Sequence, residues 1–194
     1  MNARLMTHPY DFQPNVDLRE DAMHMLTQLA TPVPMTRHEA RIVVHAMRPI
    51  HLVADTLVFS EGDAIDNDYL VLVLEGQLRV VTSTGATGEE VVISVVGRGE
   101  VLGEMGVIDG GARSATCTTL TDCKLAVLSR ASLLQLIEVY PTAAARLALC
   151  LSKCLTERLR EGNRRLRMLN QVTRAVQAEL DAAHKVNRRL LAEA

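Results

Sequence analysis

The residues best placed for chemistry in this chain are Glu104 and Arg113. They stand nine residues apart in the stretch VLGEMGVIDGGARSATC, Val101 to Cys117. The segment is otherwise apolar enough to be buried, and four glycines fall among its first eleven residues. A salt bridge needs no glycines and a turn needs no charges, so the combination asks for an object that uses both. EMGVID is long enough for one or two helical turns, Gly110-Gly111 would end them, and Arg113-Ser114-Ala115-Thr116 would open the next strand. The N–H groups at the start of such a helix favour anions, phosphate above all. Gly103 and Gly106 let a ligand or a neighbouring backbone come close. Arg113 supplies two parallel donors to a phosphate, with the Ser114 hydroxyl and N–H beside it. Glu104 cannot face the same phosphate without repulsion, and suits a hydroxyl donor such as that of a ribose.

The elements around this stretch follow from periodicity. Residues 1–15 read as an irregular arm with Pro9 and Pro14. Residues 16–48 read as helical pieces broken at Pro32, Pro34 and Pro49; Thr36 with Glu39 three residues on spells a capping box. From Ile50 to Ser129 short β-rich runs alternate with SEGD, EG, STGATG and GRGE, the pattern of a β-barrel or jelly roll. Gly62, Gly76, Gly85, Gly88, Gly97 and Gly99 are expected at its corners. Helix returns with RASLLQLIEVYP and continues over 142–194, where leucines 147, 151, 155 and 159 form a stripe and Gly162 is a candidate hinge. A heptad then places Leu166, Thr173, Leu180 and Asn187 at a, and Leu169, Val176, Ala183 and Leu190 at d, a coiled-coil seam that predicts a homodimer. The alternative is a helix packed on its own domain. The expected fold class is α+β, mainly β. It is a jelly-roll β-barrel domain over 16–141 with N-terminal helices, followed by a long C-terminal helix over 142–194.

Composition narrows the function. With 48% hydrophobic and 23% charged residues the chain has the make-up of an ordinary globular domain. It has no apolar run of membrane-spanning length and no apolar signal core, so the expected location is cytoplasmic with no membrane contact. Cys117, Cys123, Cys150 and Cys154 form no CxxC pair, and the six histidines show no paired spacing, so no metal site is expected. The net charge of −2 conceals a split. Residues 1–141 carry 10 basic and 18 acidic side chains, and residues 142–194 carry 11 and 5. The basic helix, with Arg158, Arg160, Arg164, Arg165 and Arg167, reads as a solvated face, and as a DNA-associated surface only in an alternative reading.

LGEMGVIDGGARSATC resembles the phosphate-binding cassette of the cyclic nucleotide-binding domains, the family that includes the effector domain of the catabolite activator protein. The Gly-Glu-x-small-apolar element appears as Gly103-Glu104-Met105-Gly106-Val107, and the Arg-Ser-Ala element as Arg113-Ser114-Ala115. EGD at 61–63 and VLEGQL at 73–78 match the family's earlier barrel turns, and the resemblance covers about residues 20–160. It implies that Glu104 accepts from the ribose 2′-hydroxyl and that Arg113 pairs with the cyclic phosphate. Ser114, Met105 and the backbone at Gly103 and Ala115 would assist. The departures are Cys117 for an aliphatic residue and Leu102 for a frequent phenylalanine. Where the activator protein contacts adenine from its long helix, this chain places Arg158 and Leu159, so that contact is not kept. Ser114 leaves the base open between cAMP, to which the reading leans, and cGMP. The chain reaches Ala194 without a helix-turn-helix, and shows no kinase, cyclase or phosphodiesterase motif. The resemblance therefore implies a non-catalytic cyclic nucleotide receptor, without cofactor, that signals through a protein effector or dimer rearrangement. No nucleic-acid partner is expected. A Glu104–Arg113 ion pair in a relic pocket is the competing expectation.

Overall fold

The computed structural model of the protein describes residues 16–28, 31–65, 68–83 and 90–192. The arm expected at 1–15, Gly85 and Gly88, and the side chains of Ala183, Asn187, Leu190 and Ala194 lie outside the described residues. The chain divides into a unit ending at Leu151 and a second from Ser152.

The first unit begins with helices α1 (Val16–Gln28) and α2 (Arg37–Ala46). Helix α2 starts where the capping box requires. Thr36 accepts from the Glu39 N–H, and the Glu39 carboxylate accepts from the Thr36 N–H at 2.8 Å. Glu39 also receives Arg146 at 2.6 Å, which ties the cap to the start of the last helix.

Eight strands follow among the described residues: β1 (Arg48–Leu52), β2 (Leu57–Phe59), β3 (Tyr69–Glu75), β4 (Leu78–Ser83), β5 (Glu90–Val96), β6 (Val101–Leu102), β7 (Thr116–Thr119) and β8 (Cys123–Ser129). They form two four-stranded sheets, ordered β1-β8-β3-β6 and β2-β7-β4-β5, and every described pairing is antiparallel. The jelly-roll expectation is met. A short helix α3 (Glu104–Asp109) interrupts the strands after β6, and α4 (Arg130–Val139) leaves β8 directly. The last helix, α5, runs over Pro141–Ala192 and includes Gly162, whose added Cβ would meet nothing within 4 Å.

The run Tyr-Leu-Val-Leu-Val-Leu of β3 is buried on both faces. Because side chains alternate along a strand, Tyr69, Val71 and Val73 enter the core between the sheets, with Phe59, Leu78, Leu102 and Cys117. Leu70, Leu72 and Leu74 enter a second core, under Leu26, Val43, Leu136 and Leu147 of the helices. Strand β8 divides in the same way: Leu125 and Val127 point to one core, Ala126 and Leu128 to the other. The central pair β3–β8 is thus shared by both cores, and it fixes where the ends of β3 lie.

The expected corner glycines divide too. Gly62, Gly76 and Gly99 adopt positive φ, whereas Gly97 does not. Gly99 alone makes the left-handed turn of Gly97–Glu100, whose other bonds are Glu100 N–H to Gly97 O and Gly97 N–H to the Glu100 carboxylate.

The leucine stripe of α5 changes character along its length. Leu147 and Leu151 are buried in the first unit, while Leu159 is exposed. In the second unit Leu166, Leu169, Val176 and Leu180 are between 48% and 62% exposed, an unpartnered apolar row at heptad spacing in the single chain. Among the described residues no helix is long and apolar enough to cross a membrane.

The shared strand should dominate stability. Leu72→Ala is expected to cost about 2–5 kcal/mol in urea unfolding, while Val92→Ala, on the exposed edge strand β5, should cost about 0.5 kcal/mol or less.

Candidate functional site

The site is assembled at the end of β6. Gly103 follows Leu102 and adopts φ +76°, which turns the chain out of the strand and into α3. A side chain is excluded there for a second reason. A Cβ on Gly103 would collide with Nη1 of Arg113 and lie 2.9 Å from Tyr69 O. Gly103 is therefore the seat of the Arg113 guanidinium. Glu104, the next residue, opens α3 and is buried. At the far end Gly110, also left-handed, closes the helix with its N–H on Gly106 O at 3.0 Å.

Arg113 is 4% exposed. Nη1 donates to Gly103 O at 3.1 Å and Nη2 to Tyr69 O at 2.9 Å. The guanidinium lies 4.5 Å from the ring centres of both Phe59 and Tyr69, within the range of a cation–π contact. Burial pushes its pKa below the ordinary arginine value, against the pull of Tyr69, Asp68 and Asp63, which favour the charged form. An arginine keeps its proton through such a shift, so the group is a buried, oriented cation.

Its main chain is fixed as firmly. The Arg113 N–H donates to Asp63 O at 2.9 Å, and Arg113 O accepts from the Gly62 N–H at 2.8 Å. The segment Ser60–Asp63 is itself pinned by Glu61, which accepts from the Ser83 N–H and from Thr82 Oγ1, both at 2.8 Å. Those bonds, the Ser83 N–H first, hold the Glu61 carboxyl below the usual glutamate range. Here the sequence expectation needs correction: β7 begins at Thr116, not at Arg113. The backbone of Arg113 pairs with Gly62 and Asp63, so it cannot also serve the β4–β7 ladder, which starts at Thr116.

Of the other expected residues, Met105 and Ser114 meet across the loop, Ser114 Oγ standing 3.7 Å from Met105 Sδ. Both are exposed, and Ala115 is buried in the core between the sheets. The structure thus brings Gly103 to Arg113 and Met105 to Ser114, and buries Glu104 and Ala115 beside them in the chain. Arg158 and Leu159 belong to the C-terminal unit, where both are exposed.

Sequence reading missed Phe59 and Tyr69. The chain holds only two phenylalanines, three tyrosines and no tryptophan, so two of its five aromatics flank one guanidinium. That scarcity was the available signal. Tyr69 is held in place by its hydroxyl, which donates to Val58 O at 2.9 Å. Arg130 was missed as well. It donates from Nε to Val107 O at 3.1 Å and from Nη2 to Gly106 O at 2.9 Å, at the C-terminal end of α3.

Gly103→Ala should be costly for both reasons given above. The left-handed backbone alone is expected to cost about 1–2 kcal/mol, and displacement of Arg113 should add to it, read as a lowered urea midpoint.

Comparison with known proteins identifies the family of the fold. Residues 49–140 match the family model of the cyclic nucleotide-binding domain, a span that contains the whole cassette. A solved cyclic nucleotide-binding domain from Methylobacillus flagellatus KT is 31% identical, with a TM-score of 0.71 over 77% of this chain and 82% of that one. The cyclic AMP receptor protein of Thermus thermophilus is 35% identical over 113 residues, 58% of this chain. This chain spans 49% of that relative's length. The regulatory domain of Toxoplasma gondii PKA, solved with cAMP, is 28% identical, with a TM-score of 0.55 over 63% of this chain and 46% of that one. The fold, the paired cassette elements and the matched span together place this chain in the cyclic nucleotide-binding domain family.

Proposed function

We propose that the protein is a receptor for a cyclic mononucleotide, cAMP in the first instance with cGMP as the alternative, and that it signals without catalysis. The observation that carries this reading is the seat of Arg113. A guanidinium is buried, flanked by two rings and hydrogen-bonded to Gly103 O, and Glu104, the residue after Gly103, is buried too. In this reading the fork of Arg113 holds the cyclic phosphate and Glu104 accepts from the ribose 2′-hydroxyl. Ser114, Met105 and the backbone at Gly103 and Ala115 complete the grip.

A fixed guanidinium binds an anion without first losing its own rotamer freedom, so little of the interaction is spent on ordering it. Water is largely excluded, which strengthens the attraction for a single negative charge. An acid and a base held in these roles stabilise a bound ligand and offer no attacking group and no leaving-group acid, which is why the reading is non-catalytic.

The output is assigned to the C-terminal helix. Its exposed row of Leu166, Leu169, Val176 and Leu180 fits a second copy of the same helix, giving a cytoplasmic homodimer whose rearrangement, or whose protein effector, reads the bound state.

Isothermal titration of the wild type, Arg113→Lys and Glu104→Gln tests the binding roles. Lysine keeps the charge but not the fork, and should weaken cAMP by about 10- to 150-fold, the equivalent of ~1.5–3 kcal/mol. Glu104→Gln should narrow the difference between cAMP and 2′-deoxy-cAMP. A wild type that binds neither cAMP nor cGMP contradicts the reading.

A further inference from the structure

Helix α3 has only six residues, so it cannot hold its own orientation by internal hydrogen bonds. Something else must aim it. At its front, Arg113 grips Gly103 O. At its back, Arg130 grips Gly106 O and Val107 O with two N–H groups of one guanidinium. A cation at that end also complements the negative end of the helix. Gly110 leaves the space for it: a Cβ there would lie 3.0 and 3.2 Å from the two Nη atoms of Arg130.

The two arginines share one anchor. The main-chain N–H of Arg130 donates to Asp68 O at 2.6 Å, and Nη2 of Arg113 donates to the neighbouring Tyr69 O at 2.9 Å. Asp68-Tyr69 is the entry to β3, the strand buried in both cores. The cassette helix is therefore held at both ends by arginines anchored to adjacent carbonyls, Arg130 through its main-chain N–H on Asp68 O and Arg113 through Nη2 on Tyr69 O. Arg130 is also the first residue of α4, capped at Ser129, whose side chain accepts from the Ser132 N–H. The Arg130 side chain therefore joins the start of α4 directly to the back of the cassette.

We propose that Arg130 is a positioning residue for the nucleotide site. It touches no ligand, and it sets the attitude of α3 and so of Glu104. It also links occupancy of the cassette to the placement of α4. This rests on the receptor reading for its link to affinity, but the clamp itself does not need a ligand.

The test uses Arg130→Met, which keeps most of the apolar stem and removes the donors, and Arg130→Lys, which restores one donor and the charge. Hydrogen exchange of the nucleotide-free full chain should show amides of 104–110 exchanging about tenfold faster in Arg130→Met, with Arg130→Lys between. Amides of β3 should be unchanged. In titrations with cAMP the same order should appear, Arg130→Met weakest by about tenfold. Unchanged exchange at 104–110 overturns the clamp, and so does an acceleration spread equally over β3. Faster exchange with wild-type cAMP affinity overturns the positioning role. If the wild type binds neither cAMP nor cGMP while the cassette still loosens in Arg130→Met, the clamp stands and the receptor reading falls.

Discussion

Removing a guanidinium from water costs several kcal/mol unless its donors and its charge are answered where it goes. Arg113 is answered from several directions that the fold has to bring together. Two carbonyls come from Tyr69 and Gly103, two ring faces from Phe59 and Tyr69, and the attraction of Asp63 and Asp68 favours its charge. Phe59 belongs to one sheet and Tyr69 to the other. The arginine can occupy its place only when the two sheets are closed on each other. Conversely, Gly103 must be a glycine because the guanidinium occupies the space where a side chain would stand.

This arrangement makes the first unit a frame around one short helix. Strand β3 is committed to two cores and cannot shift without disturbing both. Its entry, Asp68-Tyr69, is the fixed point to which both arginines refer. Helix α3 buries Glu104, Gly106 and Val107, while Met105 and Ile108 stay exposed. With six residues it has few internal hydrogen bonds to keep it closed, and local opening is expected there. In the receptor reading, that is the segment a ligand would hold still.

What was legible in the sequence was local. The Thr36–Glu39 box is a three-residue signal, and the bonds formed are those it spells. The glycine-rich turn, the short helix and its Gly110 stop also lie within one stretch, Val101–Cys117. The β-rich apolar run of β3 was readable as strand, although burial on both faces only becomes plain once helices cover one side. What escaped was carried by separation. Phe59 and Arg113 lie 54 residues apart in sequence, and no local pattern couples them. The start of β7 was misplaced by three residues because Arg113 and its neighbours look like strand, whereas Gly62 and Asp63 claim that backbone. Arg130 looked like an ordinary first residue of a helix, and its target is a pair of carbonyls whose exposure depends on α3 ending where it does.

The central claim is that the Arg113 guanidinium meets the anionic part of the ligand. Side-chain 15N NMR of the arginine Nε–H groups tests it most directly, with the Arg113 signal assigned by its loss in Arg113→Lys. The account predicts that saturating cAMP shifts that signal, while inorganic phosphate at the same concentration leaves it in place. An Arg113 resonance that stays put at saturating cAMP, while other signals of the protein report binding, would contradict it.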